Sequence, residues 1–182
     1  MAKYVALLRG INVGGKNLIK MAELAACFEA QGFAEVITYI QSGNVIFDGG
    51  RTAPAALVRA IEKTLSATFG YPASVVLRSR AQLQATVTRA PRGFGTQPDR
   101  YRYDVVFLKA PLTAAAAIAT IPLRDGVDTV AAGPGALYTT RLVSKAGQSR
   151  LSRITQLPIY GSMTIRNWNT TTRLLALVSG SA

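Results

Sequence analysis

Val36-Ile37-Thr38-Tyr39-Ile40-Gln41-Ser42-Gly43-Asn44-Val45-Ile46-Phe47 decides the fold. Two β-branched and aromatic runs are separated by a short polar stretch carrying glycine, the pattern of an antiparallel hairpin. Upstream lie an apolar strand, Lys3 to Arg9, and a helix from about Met21 to Gln31 with Leu24 and Phe28 four apart and Gly32 placed to stop it. Downstream, Pro54 to Phe69 carries Leu57, Ile61 and Leu65 at helical spacing between a starting proline and the terminating Gly70, and Ser74 to Arg78 is a fourth strand. The order is βαββαβ, the split βαβ arrangement of a ferredoxin-like plait.

The order then recurs. A short helix, Ala81 to Arg89, leads into the Gly/Pro-bearing stretch Pro91 to Pro98, which marks a boundary. Tyr103 to Lys109 is a strand and Thr113 to Thr120 an alanine-rich helix. Val127 to Ala131 and Leu137 to Val143 flank the turn signal Gly133-Pro134-Gly135, Ser149 to Leu157 reads as a short helix, and Met163 to Arg166 as the last strand. A helix from Thr170 to Val178 closes the chain. The expectation is an α+β protein of two consecutive ferredoxin-like plaits: residues 1–80, a helix and linker over 81–102, and residues 103–182 with the closing helix. The duplication is one of architecture, without a residue-level repeat.

Composition limits the chemistry. At 182 residues, 49% hydrophobic, the chain can bury one ordinary core or two small ones. No apolar run reaches membrane-spanning length, and Met1 to Arg9 lacks the apolar core and cleavage site of a signal peptide, so a cytoplasmic, bacterial protein without membrane association is expected. The histidine count of zero removes imidazole bases, histidine triads and histidine metal sites. Cys27 falls on the helical side of Leu24 and Phe28, as a small buried hydrophobe does. The nine acids are scattered, with no close pair suited to a metal or to acid–base work. No metal and no cofactor is expected.

Charge points the other way. A net charge of +12 makes an anionic partner the first suspect. After Asp128 no acid follows, while Arg141, Lys145, Arg150, Arg153, Arg166 and Arg173 do. That final third is either a binding surface or a solvated basic face.

Two segments concentrate anion-binding residue types. Gly10-Ile11-Asn12-Val13-Gly14-Gly15-Lys16-Asn17 nearly fits the nucleotide-binding pattern G-x-x-x-x-G-K-[ST] between a strand and a helix. Position 17 lacks the hydroxyl that ligates magnesium, and Asp48, the acid that would serve the metal, ends a strand entered through a tight hairpin rather than a parallel crossover. A weaker reading survives: if Asn17 caps the helix, Gly14, Gly15 and Lys16 sit ahead of its free amides, with Arg9 and Lys20 adding charge. The alternative is that the glycines only let the chain turn while Asn12 and Asn17 satisfy loop amides. Ser42 and Asn44, in the hairpin turn, are candidate neighbours of this loop. The second segment is Arg166-Asn167-Trp168-Asn169-Thr170 with Arg173. Asn167 or Asn169 can cap the closing helix beside two arginines, and Trp168 either staples that helix to the second domain or stacks on a ligand.

Leu7-Leu8-Arg9-Gly10-Ile11-Asn12-Val13-Gly14-Gly15-Lys16-Asn17, Met21-Ala22-Glu23-Leu24, Thr38-Tyr39-Ile40-Gln41-Ser42-Gly43-Asn44-Val45-Ile46-Phe47 and Arg166-Asn167-Trp168-Asn169-Thr170 resemble the bacterial family catalogued as domain of unknown function 1697. The resemblance extends over nearly the whole chain. It implies two ferredoxin-like subdomains and no activity, so it transfers no catalytic residue. Ile165 departs from the family, where a second threonine is associated with that position.

The leading expectation is binding of nucleic acid or a phosphorylated small molecule through Arg9, Gly10, Asn12, Gly14, Gly15, Lys16, Asn17, Lys20, Ser42, Asn44, Arg166, Asn167, Trp168, Asn169, Thr170 and Arg173. The alternatives are an enzyme acting on a small anionic metabolite in a cleft between the plaits, or a structural, partner-binding protein.

Overall fold

The computed structural model describes residues 2–180. The chain divides into two compact units, one of residues up to Leu83 together with those from Leu174 onward, the other Gln84–Arg173. The sequence reading gave the whole closing helix to the second domain; its residues from Leu174 group with the first.

The first unit contains β1 (Lys3–Leu8), α1 (Met21–Glu29), β2 (Ala34–Tyr39), β3 (Asn44–Asp48), α2 (Pro54–Phe69) and β4 (Val75–Ser79). Its four strands form one antiparallel sheet in the order β2-β3-β1-β4. β1 lies antiparallel to β3, so a parallel nucleotide-hydrolase core is absent from this sheet. α2 begins with Pro54 in its first turn and ends where Gly70 takes the left-handed conformation, φ 66°, and donates its N–H to the Ser66 carbonyl. Leu57, Ile61 and Leu65 of that helix pack with Leu24 and Phe28 of α1 against Tyr4, Ala6, Leu8, Val45, Phe47 and Leu77 of the sheet. Each large side chain so buried contributes about 1.5–3 kcal/mol.

The second unit begins within α3 (Arg80–Thr88). It continues through β5 (Tyr101–Leu108), α4 (Ala114–Ile118), β6 (Asp128–Gly133), β7 (Ala136–Leu142), β8 (Met163–Asn167) and the start of α5 (Trp168–Val178). Its sheet, β6-β7-β5-β8, is again fully antiparallel. The registers of the two sheets coincide. Val5 faces Ile46 and Arg78; Val105 faces Tyr138 and Arg166. The duplication therefore does reach single residues: a penultimate arginine on the last strand of each sheet, followed by a helix cap. Ser79 Oγ accepts from the Gln82 amide at 3.2 Å, and Asn167 Oδ1 from the Thr170 amide at 2.7 Å.

One element differs from expectation. Between β7 and β8 there is no α-helix. Three short 3-10 segments, Val143–Gln148, Leu151–Gln156 and Pro158–Ser162, occupy the place expected to hold a helix over Ser149 to Leu157. Pro158 halts the run, and its serines and threonine compete for backbone groups. Asp128 also pins the start, accepting from Ser149 Oγ at 2.6 Å and from the Arg150 amide at 2.8 Å. Ile154 nevertheless is buried, with Leu151 and Leu157 packed beside it.

Candidate functional site

The glycine loop is a knot of its own making. Gly14 and Gly15 both take positive φ, 58° and 73°, and Lys16 donates its N–H to the Val13 carbonyl, closing a tight turn. Asn12 Nδ2 donates to the carbonyls of Ile19 (3.0 Å) and Gln41 (2.9 Å), and Asn12 Oδ1 accepts from the Ile19 amide. Asn17 Nδ2 donates to the Gly10 carbonyl at 2.8 Å. Asn17 thus does not cap α1. The N-cap is Lys20, whose side chain makes no capping bond, so Gly14, Gly15 and Lys16 precede a turn rather than the helix's open amides. Both asparagines sit at φ near 50°, the left-handed region that asparagine tolerates, and close the loop on itself.

The structure does bring the hairpin turn to this loop, through the Asn12–Gln41 bond. Asn44 is fully buried and donates to the Tyr39 carbonyl and to Ser42 Oγ, so both residues shape the turn from inside. The Gly43 carbonyl accepts from the Leu8 amide, and a Cβ on Gly43 would overlap Ile11. Arg9 is half-buried, whereas Gly10, Lys16 and Lys20 are exposed.

At the other segment Asn167, not Asn169, caps α5. Arg166 is not a surface cation. It is 7% exposed, and its Nη1 donates to Thr164 Oγ1 at 2.9 Å and to the Ile165 carbonyl at 2.8 Å. Burial pushes its guanidinium down to about 10, with Tyr160 acting weakly upward. Thr170 is buried, while Asn167, Asn169 and Arg173 are exposed.

Trp168 is half-buried and meets the edge of Phe94, ring centroids 5.0 Å apart at 88°. Phe94 in turn abuts Tyr103 and Tyr138, and the Tyr138 hydroxyl donates to the Thr86 carbonyl. The tryptophan therefore staples the start of α5 to the second unit. It also lines an open pocket of about 330 Å³ with Asn167, Asn169, Tyr101, Arg102 and Tyr103. The Arg100 guanidinium lies 5.2 Å from the Tyr101 ring centre. Sequence reasoning missed these strand residues, although Arg100-Tyr101-Arg102-Tyr103 alternates cation and aromatic in plain view. The pocket unites aromatic rings, the Arg102 guanidinium and the positive end of a helix, a combination that attracts a phosphate joined to a planar ring.

Elsewhere little invites chemistry. Burial pushes the Cys27 thiol up, against a weaker pull from Thr68, which disfavours the reactive thiolate. Among the described residues no group of three or more histidine, cysteine, aspartate or glutamate side chains is placed to hold a metal ion. No helix of the described residues is long and apolar enough to cross a membrane.

A family model described as a protein of unknown function, DUF1697, matches residues 1–138. No curated protein matches the chain. Among solved structures, the conserved bacterial protein SP0830 from Streptococcus pneumoniae is similar, with a TM-score of 0.84 and 27% identity over 97% of this chain and 98% of that one.

Proposed function

The chain belongs to the DUF1697 family of proteins of unknown function, and from that premise we propose that it binds an anionic ligand, nucleic acid or a phosphorylated small molecule, at the amino end of α5. The observation that carries this reading is the pocket that Trp168 and Tyr101 line beside Arg102 and the first turn of the helix. Supporting it are the net charge of +12 and the absence of any acid after Asp128. The same reading takes each unit as a ferredoxin-like plait, supported by the sheet order in which the first strand of each unit lies between its third and fourth. A cytoplasmic setting fits the lone, buried Cys27.

Trp168 is the only tryptophan, so intrinsic fluorescence reads this pocket directly. Titration with single-stranded RNA, single-stranded DNA and adenosine monophosphate is expected to quench it at low salt. For the polymers the effect fades as salt rises, because phosphate contacts dominate. Asn169→Asp, which adds a negative charge at an exposed position of the pocket, weakens every one of these ligands. Unmoved fluorescence with all three at low salt overturns the reading.

A further inference from the structure

The coincident registers let each sheet serve as the control for the other. On the helix-bearing face of the first sheet, Tyr4 pairs with Phe47, their ring centroids 6.0 Å apart within the apolar core. Leu57 of α2 seals that place: a Cβ on Gly49 would overlap both Leu57 and Tyr4. The matching pair in the second sheet is Asp104 and Thr139, and the next pair on the same face is Arg102 and Arg141. Where α2 lies in the first unit, the second has the 3-10 segment Leu151–Gln156. The outcome is a cavity of about 200 Å³ whose polar lining includes Asp104, Arg102, Arg141 and Thr139, and whose apolar wall includes Ile154 and Ile165.

The charges in this cavity are only partly matched. Two arginines stand directly opposite across a strand pair, which is repulsive, while Asp128 stands opposite Arg141 on its other side. Asp104 Oδ2 accepts from Arg102 Nε at 2.9 Å, while Asp104 Oδ1 is buried without a hydrogen-bond partner. Among the described residues Arg141 forms no ion pair. A simple anion would meet Arg141 but be repelled by Asp104, and a simple cation would suffer the reverse. A molecule with both charges on neighbouring atoms suits both groups, because Asp104 and Arg141 are diagonal neighbours, about 7–8 Å apart at the backbone, within reach of long side chains. The volume is too small for a nucleotide, and the apolar wall suits a short hydrocarbon.

We propose that this cavity in the second unit is a binding site for a small zwitterionic amino acid with an apolar side chain. Its carboxylate pairs with Arg141, its ammonium meets the Asp104 carboxylate, and its side chain lies against Ile154 and Ile165. The site is separate from the pocket at the amino end of α5. Arg102 lines both and is left unchanged in the test.

Calorimetric titration and thermal melting of the full chain with L-leucine, L-valine and L-methionine test this. Isocaproate, which lacks the amine, and isoamylamine, which lacks the carboxylate, are the comparison ligands. At least one of the three amino acids is expected to bind and to raise the melting temperature, with either comparison ligand weaker by about tenfold or more. Asp104→Asn and Arg141→Gln each lose about tenfold in amino-acid affinity, and Asn169→Asp loses none. Absence of binding by all three amino acids at millimolar concentration overturns the proposal. So does isocaproate binding as tightly as leucine, a comparison that needs no variant and stands even if Asp104→Asn fails to fold. Because the nucleic-acid test reads Trp168 and Asn169, either proposal can fail while the other holds.

Discussion

Asn12 donates its side-chain amide to the carbonyl of Gln41 across 2.9 Å, tying the glycine loop to a hairpin turn 29 residues further along the chain. The same side chain holds both the N–H and the C=O of the buried Ile19. Loss of this clasp strands three backbone groups. Asn12→Ala is expected to cost about 2–4 kcal/mol, since alanine also dislikes the left-handed backbone at this position. Asn12→Gly removes the same bonds but not the backbone tolerance, and is expected to be milder by about 1 kcal/mol. Urea unfolding of both variants separates the two contributions. A loss below about 1 kcal/mol for alanine would show that the clasp is not what holds the loop.

Ile40, beside that turn, takes φ 50° although its side chain is β-branched and 44% exposed. Such a residue resists the left-handed region more than any other type. Ile40→Asn gives up little burial and fits the backbone, so it is expected to stabilise the protein by about 1 kcal/mol. Thermal melting decides it, and a lowered midpoint would mean that the exposed isoleucine makes contacts worth more than the strain.

Much of the fold was legible because strands and helices announce themselves by period and punctuation. Pro54 and Gly70 bracket α2 to the residue. The missing helix after β7 was not legible, for a physical reason. Leu151, Ile154 and Leu157 repeat every three residues, a spacing that one face of an α-helix tolerates but that is the 3-10 helix's own period. Asn17 misled in another way, since an asparagine before a helix looks the same whether it caps the helix or folds back on its loop. Asn167, adjacent to its helix, was readable as a cap. The cavity of Asp104 and Arg141 was out of reach, because residues on two strands become neighbours only once the register is known.

Gly95 lies under the Trp168 indole, so tightly that a Cβ would overlap the ring, and its φ is 84°. Gly93 has a similar φ, 79°, but a Cβ there would meet only Thr96 Oγ1 at 3.8 Å. Alanine at both positions meets the same backbone cost, about 1 kcal/mol, and only Gly95→Ala must also displace the tryptophan. Gly95→Ala is therefore expected to be the more destabilising by about 1–3 kcal/mol and to shift Trp168 emission to the red. Equal losses, with unchanged emission in both, would mean that the indole is not seated on this glycine.

Tyr71 is 7% exposed and its hydroxyl is buried without a hydrogen-bond partner. Burial pushes its phenol up to about 12, with Cys27 and Glu62 adding to the effect. The folded state then holds its proton more tightly than the unfolded chain, whose tyrosine titrates near 10. The contribution to stability is whole below pH 10 and is lost as the pH rises from there through about 12. Tyr71→Phe removes the proton and the stranded hydroxyl together. At neutral pH it is expected to leave the protein unchanged or more stable by about 1–2 kcal/mol, because nothing is left unpaired. Above pH 10 its advantage over the parent widens, since only the parent's unfolded chain is stabilised by an ionised phenolate that its folded state does not form. Unfolding midpoints of both proteins at pH 8 and at pH 11 test the sign: an advantage that stays constant on going alkaline would place the phenol in contact with solvent.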